Sequence, residues 1–439
     1  MNIPLDNLYH WIQSVAQHPV ILYVFHPHGS KDIFDLDVFK TYQDHSLMPN
    51  IICHDQEPLN FSEYEFDHDL ARLSRLFDRR DYSPDHKEFE ILLYSNLSLV
   101  PKFNPNWLNV ATSLNDWFIL LHSEQHSSDV NQFAQIGFLP VYYWSHAVIA
   151  RDWYRFAEHD RRLDQRHVEK TFLVYCRDWT PTREYRLKFL DLLVSSDLVN
   201  DCVISTQHTT SQGVHLEDYK SQDPRFSVDT SRLVCIPDNN SPPSASADYD
   251  INDITTTAVN VVLETVVDGA KIHLTEKILR PIACAQPFVI MAGPGSLEYL
   301  KRYGFKTFNK FWDEGYDAEP DTVKRMEMIV ETMCEIQQLT QEDWKEINTI
   351  AEYNKQHFFS PDFIQQVTNE LKTNLNRAVD FCLENRGETY WAWRKFIRRS
   401  RLTNKNPSFK DGIARITIQE LRKHRSRRFH NKSTPIIGQ

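Results

Sequence analysis

The sequence predicts an α/β protein with two doubly wound parallel sheets, followed by a basic C-terminal extension. Three observations support this prediction. Short apolar segments of strand length alternate with helical patterns along most of the chain. The 439 residues exceed what one hydrophobic core usually organises and suit two domains. Residues 390–439 differ sharply in charge from the rest of the chain.

The first half of the chain supplies the strands of the first predicted domain, residues 1–160. Helical patterns separate these strands, and strands joined by helices form parallel sheets with helices on both faces. The polar, charged segment at residues 158–170 ends this domain. The apolar runs are Val20–Phe25, Asn50–Cys53, Phe89–Tyr94, Trp117–His122 and Val141–Trp144.

The same alternation continues through the second predicted domain, residues 161–385. Its strands are predicted at Thr171–Arg177, Asn260–Thr265 and Phe288–Met291, and a turn and helix occupy Thr180–Leu190. Helices rich in charged residues and in Leu and Ile fill residues 322–350 and 361–384, where they can cross back to brace the first domain. Residues 386–439 form the basic extension.

Composition excludes several classes of protein. Hydrophobic residues make up 41% and charged residues 25%, which is typical of globular proteins, and no apolar run approaches the ~18 residues of a membrane span. No signal-peptide pattern opens the sequence, and the seven cysteines are dispersed, so we expect a cytoplasmic protein with reduced thiols and no metal site. The sequence contains no glycine-rich nucleotide fingerprint, P-loop or Gly-x-Ser-x-Gly motif.

The segment from His273 to Gly295 combines a helix start with well-placed charges. Thr275 can cap the helix, which places Glu276 and Lys277 in its first turn. The free N–H groups and the dipole of a helix start attract an anion, Lys277 adds the charge that holds a diphosphate, and Glu276 can accept from a ribose hydroxyl. The alternative is an ordinary solvated Glu–Lys pair at a helix end.

This segment resembles the donor-site signature of the α-1,3-fucosyltransferase-like glycosyltransferases, in which Thr/Ser-Glu-Lys-Ile opens a helix before a buried strand. Upstream, Glu264 and Thr265 occupy the place of the Glu-Asn-Ser of that family, although the Asn and Ser are absent. Arg183 matches an arginine that contacts the nucleotide diphosphate in the family, and Arg177 is a second candidate. The resemblance covers about a third of the chain, residues 171–317. Residues 311–317 also resemble segments of bacteriophage glycosyltransferases.

The resemblance implies a GT-B glycosyltransferase, with two Rossmann-like domains that face a cleft. It implies a UDP- or GDP-sugar donor held by the second domain, no required metal, and inversion at the sugar carbon. Arg177, Arg183, Glu264, Thr275, Glu276 and Lys277 form the implied donor site. Asp-x-Asp pairs such as Asp248 and Asp250 are expected by chance in a chain with 60 acidic residues.

The first domain must then supply a base that takes the proton from the acceptor hydroxyl. Asp55 and Glu57 are the leading candidates because they follow a predicted strand beside a proline turn. The alternative for both is helix capping and surface ion pairing. His122, Glu124 and His146 are second choices for the base.

The C-terminal extension is strongly basic. Residues 390–439 hold 14 Lys and Arg against two acids, a charge of +12, whereas the remaining residues carry −23. Such a density of cations favours DNA as a partner, with self-docking on the acidic body or a merely solvated end as alternatives. The residues expected to contact phosphates are Arg394, Lys395, Arg398, Arg399, Arg401, Arg422, Lys423, Arg425, Arg427 and Arg428.

The predicted reaction is therefore transfer of a sugar to a 5-hydroxymethylpyrimidine in DNA, for example hydroxymethylcytosine in bacteriophage DNA. Two alternatives stay open at this stage. One is a fucosyltransferase-like enzyme with a glycan or lipopolysaccharide acceptor, whose basic tail lies on a membrane surface. The other is a nucleic-acid-binding protein that keeps the fold of a glycosyltransferase without its activity.

Overall fold

The structure is a computed structural model that describes residues 7–18, 20–24, 49–54, 58–59, 118–135, 138–180, 182–210, 213–238 and 246–384. The chain divides into two compact units. The amino-terminal unit comprises Ile3–Ser145 and Thr368–Gln439, and the central unit comprises His146–Val367 with Met1 and Asn2. The predicted strand Phe89–Tyr94 and the basic extension lie outside the described residues, and the domain boundaries predicted from the sequence stay predictions.

The amino-terminal unit contains a four-stranded parallel sheet. The strands are β1 (Ile21–Val24), β2 (Asn50–Cys53), β3 (Phe118–His122) and β4 (Phe138–Tyr142), and they lie in that order. Helices α1 (Leu8–Val15) and α2 (Ser128–Gln135) belong to this unit. Helix α3 (Ser145–Trp153) begins at Ser145 of this unit, and its other residues belong to the central unit. The apolar runs predicted for these four strands are confirmed to within a few residues.

The central unit contains a second four-stranded parallel sheet, in the order β6-β5-β7-β8. The strands are β5 (Lys170–Cys176), β6 (Cys202–Thr206), β7 (Thr257–Leu263) and β8 (Phe288–Met291). Every residue of β7 and β8 is buried, which explains why they read as continuous apolar runs. The α/β class with parallel sheets is thus confirmed.

The helices of the central unit follow its strands along the chain. They are α4 (Tyr185–Ser195), α5 (Ile251–Thr256), α6 (Glu276–Ala283), α7 (Ser296–Arg302), α8 (Thr322–Ile336) and α9 (Gln341–Phe359). Helix α6 packs on α9, β7 and β8, whereas α4 packs on α8. The crossovers from β5 to β6 and from β7 to β8 run in opposite directions along the sheet, so right-handed connections place α4 and α6 on opposite faces. No helix of the described part is long and apolar enough to cross a membrane.

The last described helix, α10 (Pro361–Glu384), contributes residues to both units, with the change at Thr368. Its second half is anchored within the amino-terminal unit by side-chain amides. Asn374 donates to the carbonyl oxygen of Tyr142 at 3.0 Å, and Asn376 donates to that of Val15 at 3.1 Å. The carboxyl end of this helix therefore returns to the first unit, as predicted.

Gly293 in the turn after β8 is required by a close backbone approach. A Cβ atom at this position would lie 2.3 Å from the carbonyl oxygen of Lys271, which is far inside van der Waals contact. We expect Gly293→Ala to lower the free energy of unfolding by about 2 kcal/mol, because backbone rather than a flexible side chain must shift. The urea midpoint of the purified variant measures this loss.

Gly315→Ala is the matched control. Its Cβ would meet the exposed carboxylate of Asp313 at 3.1 Å, and that side chain can move away. We expect a change within about 0.5 kcal/mol. Equal effects of the two substitutions would contradict the close-approach explanation.

Candidate functional site

The order of the strands in the central unit defines where a ligand is expected. Strand β5 lies between β6 and β7, and the crossover from β5 to β6 runs in the opposite direction along the sheet to the crossover from β7 to β8. Open α/β sheets bind ligands at the carboxyl ends of the strands at such a switch point. Arg177 and Asp178 follow β5, and Glu264 and Thr265 follow β7. Two of the residues implied by the family resemblance, Arg177 and Glu264, therefore lie at one edge of the sheet with their neighbours Asp178 and Thr265.

Glu264 is fully buried and organises this edge. Its carboxylate accepts hydrogen bonds from the Thr275 hydroxyl at 2.6 Å, the Thr275 backbone N–H at 3.1 Å and the Thr265 backbone N–H at 3.3 Å. Its carbonyl oxygen accepts from the Tyr185 hydroxyl on α4. The buried side chain of Glu264 thus holds the start of α6 against the end of β7.

Thr275 caps α6 as predicted. Its hydroxyl accepts from the backbone N–H of Lys277 at 3.3 Å. The Nζ atom of Lys277 donates to the hydroxyls of Thr265 at 3.2 Å and Thr275 at 3.1 Å, and to the carboxylate of Glu276 at 3.0 Å. The lysine side chain keeps 26% of its surface exposed, so it is held in place by three hydrogen bonds and is still partly open to solvent.

Glu276 is more enclosed than the sequence suggested. Its carboxylate contacts Lys277 and lies 3.4 Å from Nδ1 of His146, near the start of α3. Burial would by itself raise the pKa of Glu276, but the charges and hydrogen bonds of Lys277 and His146 outweigh it and hold that pKa well below its usual range. Glu276 is therefore an ionised, buried carboxylate that positions Lys277.

The arginines that follow β5 and open α4 form the other half of the site. Arg183 forms an ion pair with Asp178 and lies just before the helix, which begins at Tyr185 and not at Arg183 as the motif suggested. Arg177 is half-buried, and burial lowers the pKa of its guanidinium, an effect that the neighbouring Asp178 opposes.

Arg186 was missed by sequence reasoning, although the helix that carries it was predicted. It is buried and donates to the carbonyl oxygens of Asp178 at 2.5 Å and Leu263 at 2.8 Å, so it ties the ends of β5 and β7 together. Its position in the first turn of α4 was the available signal. A buried guanidinium in a polar turn is the kind of group that fixes backbone carbonyls.

The structure brings the six predicted donor-site residues into one region of the central unit. Glu264 and Thr275 are buried and hydrogen-bonded to each other, whereas the side chains of Arg177, Arg183 and Lys277 are partly exposed. Among the described residues, no group of three His, Cys, Asp or Glu side chains is arranged to hold a metal ion. Asp250 instead caps α5, where it accepts from two backbone N–H groups.

The predicted bases Asp55 and Glu57 lie outside the described residues. Of the second choices, His122 is the last residue of β3 and Glu124 follows that strand in the amino-terminal unit, and both are buried. The Glu124 carboxylate accepts from the backbone N–H of Leu59 at 2.5 Å, and the ring of His122 packs edge-on against that of Tyr142. These side chains are therefore built into the carboxyl edge of the first sheet.

No known protein family matches this sequence, and no curated protein matches it significantly. The function must therefore be inferred from the site.

The buried carboxylate of Glu276 predicts a pH-dependent contribution to stability. Because the folded pKa is depressed, the contribution is present above the unfolded pKa, about 4.3, and is lost as the pH falls through the folded pKa. We expect Glu276→Gln to lower the free energy of unfolding at pH 7 by about 2 kcal/mol, the worth of a charge-assisted hydrogen bond. Urea denaturation at pH 7 and at stepwise lower pH measures the difference.

Glu298→Gln is the control, because Glu298 also lies in the first turn of a helix but is exposed. It should change the stability by less than about 0.5 kcal/mol at each pH. A difference between wild type and Glu276→Gln that stays constant below pH 4 would show that the carboxylate is not held ionised.

Proposed function

We propose that this protein is a nucleotide-sugar-dependent glycosyltransferase of the GT-B type. The observation that carries the proposal is the position of Lys277 at a capped helix start, beside the switch point of a doubly wound sheet that also gathers Arg177 and Arg183. Anionic ligands bind where helix N–H groups, a helix dipole and cationic side chains converge. A nucleotide diphosphate has the charge and the length for this edge.

The contacts of Lys277 are compatible with such a ligand. Two of its three acceptors are the neutral hydroxyls of Thr265 and Thr275. A phosphate oxygen is a stronger acceptor than a hydroxyl, because hydrogen bonds between charged partners are shorter and stronger. The ammonium can therefore exchange a threonine for a phosphate while Glu276 keeps it in place.

The chemistry assigned to this site is stabilisation of a leaving group. The oxygen of an acceptor hydroxyl attacks the anomeric carbon from the face opposite the diphosphate, the bond from that carbon to the diphosphate oxygen breaks, and the configuration inverts. The acceptor proton passes to a carboxylate, for which Asp55 and Glu57 remain our candidates. Lys277, Arg177 and Arg183 stabilise the negative charge on the departing UDP or GDP.

The proposed acceptor is a 5-hydroxymethylpyrimidine in DNA, modified in the cytoplasm. The support is the charge of +12 on residues 390–439 in a chain that is otherwise acidic. Cations at this density neutralise several phosphates and release their counterions. A pyrimidine inside a duplex must be extruded before its hydroxymethyl group can be modified.

A direct test incubates the protein with a panel of nucleotide sugars and DNA that contains hydroxymethylcytosine, and then weighs the digested nucleosides by mass spectrometry. A nucleoside that is heavier by one sugar supports the reaction, the donor and the acceptor together. Donor hydrolysis without a modified nucleoside keeps the glycosyltransferase and moves the acceptor to a glycan. No turnover of any donor would favour a non-catalytic nucleic-acid-binding protein.

Removal of the Lys277 ammonium should remove donor binding. We expect Lys277→Ala to lower the rate of sugar transfer at least about 100-fold, as loss of one preorganised charge-stabilising donor does in other enzymes. DNA binding should stay unchanged. Lys301→Ala, on an exposed helix surface, is the control and should transfer at the wild-type rate. Wild-type transfer by Lys277→Ala would mean that the donor site lies elsewhere.

Removal of residues 390–439 should weaken DNA binding and flatten its dependence on salt. Each phosphate contact contributes roughly 0.9 to the slope of log K against log salt concentration, so loss of several contacts is measurable by titration at three salt concentrations. Deletion of residues 430–439, which removes a single lysine, is the control. Unchanged affinity and slope after the longer deletion would rule out the extension as the DNA-binding element.

A further inference from the structure

Arg280 carries a buried guanidinium that has no polar partner among the described residues. It lies on α6, is 8% exposed, and its guanidinium carbon lies 4.2 Å from the centre of the Tyr175 ring. Its Nε atom is shielded from solvent without a hydrogen-bond acceptor. Within the described part of the chain, no carboxylate or carbonyl oxygen lies within hydrogen-bonding or ion-pairing distance of this side chain.

The Nε atoms of Arg151 and Arg325 also have no acceptor among the described residues, but the Nη atoms of the other buried arginines are hydrogen-bonded. Arg151, Arg186 and Arg325 are 7%, 3% and 1% exposed. Each donates to at least two backbone carbonyl oxygens. An unsatisfied buried polar group costs free energy, and an unpaired buried charge costs more. A stacked aromatic ring offsets part of this cost but offers no hydrogen-bond acceptor in the plane of the guanidinium.

The position of Arg280 relates it to the candidate site. It lies three residues after Lys277 and four after Glu276 on the same helix, spacings that make side chains neighbours on a helix surface. Tyr175, on whose ring Arg280 stacks, lies near the end of β5, and Arg177 directly follows the last residue of that strand. Arg280 and Arg177 are close enough for the first to lower the pKa of the second, after the larger effect of burial.

A carboxylate near this arrangement, that of Asp253, is already engaged. The carboxylate of Asp253 accepts from the Tyr175 hydroxyl at 2.8 Å and forms no ion pair with Arg280. Two guanidinium groups and one ammonium group therefore border this part of the site, and the one carboxylate on the same helix, Glu276, is directed to Lys277 and His146.

We propose that Arg280, together with Arg177, forms an anion subsite that takes one phosphoryl group of a diphosphate whose other phosphoryl group contacts Lys277. The nature of the ligand as a nucleotide diphosphate rests on the proposed function. The subsite itself rests on the contacts of Arg280. A phosphoryl group supplies in-plane acceptors to the fork of the guanidinium, which the protein does not.

The test compares diphosphates with monophosphates by isothermal titration calorimetry. The probes are UDP, GDP and inorganic pyrophosphate against UMP and GMP, with wild type, Arg280→Met and Arg280→Lys. We expect Arg280→Met to weaken binding of the diphosphates about 10- to 100-fold, the range of a charge-assisted hydrogen bond, and to change monophosphate binding less than threefold.

Arg280→Lys keeps a cation on α6 and serves as the test variant if Arg280→Met does not fold. It should still bind diphosphates more weakly than wild type, by about threefold or more, because lysine lacks the planar fork. Arg302→Met is the control, since Arg302 also lies over a tyrosine ring, at 5.5 Å, but on an exposed helix end. It should leave all affinities unchanged.

The outcomes separate this inference from the proposed function. Wild-type diphosphate affinity in the folded Arg280 variants would overturn the subsite and leave the glycosyltransferase proposal standing. Loss of pyrophosphate binding in the variants, with no binding of UDP or GDP by wild type, would keep the subsite and overturn the proposed donor. Failure of wild type to bind pyrophosphate, UDP and GDP would overturn both.

Discussion

The buried carboxylate of Glu264 is the group on which the candidate site depends. It accepts three hydrogen bonds from Thr265 and Thr275. Those bonds join the end of β7 to the start of α6. With the helix start fixed, Thr275 can cap it and Lys277 can reach back to both threonine hydroxyls. A buried carboxylate is tolerated only with such complete hydrogen bonding, so its removal would leave several groups unsatisfied together.

Three cationic side chains of the site have oxygen partners among the described residues. Lys277 is matched by Glu276, and Arg183 by Asp178. Arg186 is matched by backbone carbonyl oxygens. Arg280 alone in this region has an aromatic face in place of an oxygen. A cation without an oxygen partner is where we expect an anionic ligand to bind. The net charge of the chain does not reveal such a position.

The sequence predicted those parts of the fold that local patterns determine. The apolar runs at β2 and β8 and the cap at Thr275 are local features, and the structure has them at the predicted residues. Strand β6 was missed, because Cys202–Thr206 is only partly buried and contains two hydroxyl residues. The contact between His146 and Glu276 joins residues that are far apart in the chain. That no oxygen atom of the described residues accepts from Arg280 likewise depends on tertiary packing, and the spacing of residues in the sequence cannot predict it.

The hydrogen bonds of Lys277 have a consequence for how tightly and how selectively a ligand is held. A lysine side chain usually loses up to about 2 kcal/mol of rotamer entropy when a contact immobilises it. Here the amine is already held by Thr265, Thr275 and Glu276 before any ligand arrives. Because the side chain is ordered when the protein folds, ligand binding does not lose this rotamer entropy. We therefore expect the selectivity of Lys277 between ligands to come from the binding enthalpy. A rigid donor forms a good hydrogen bond only with an acceptor at the right position.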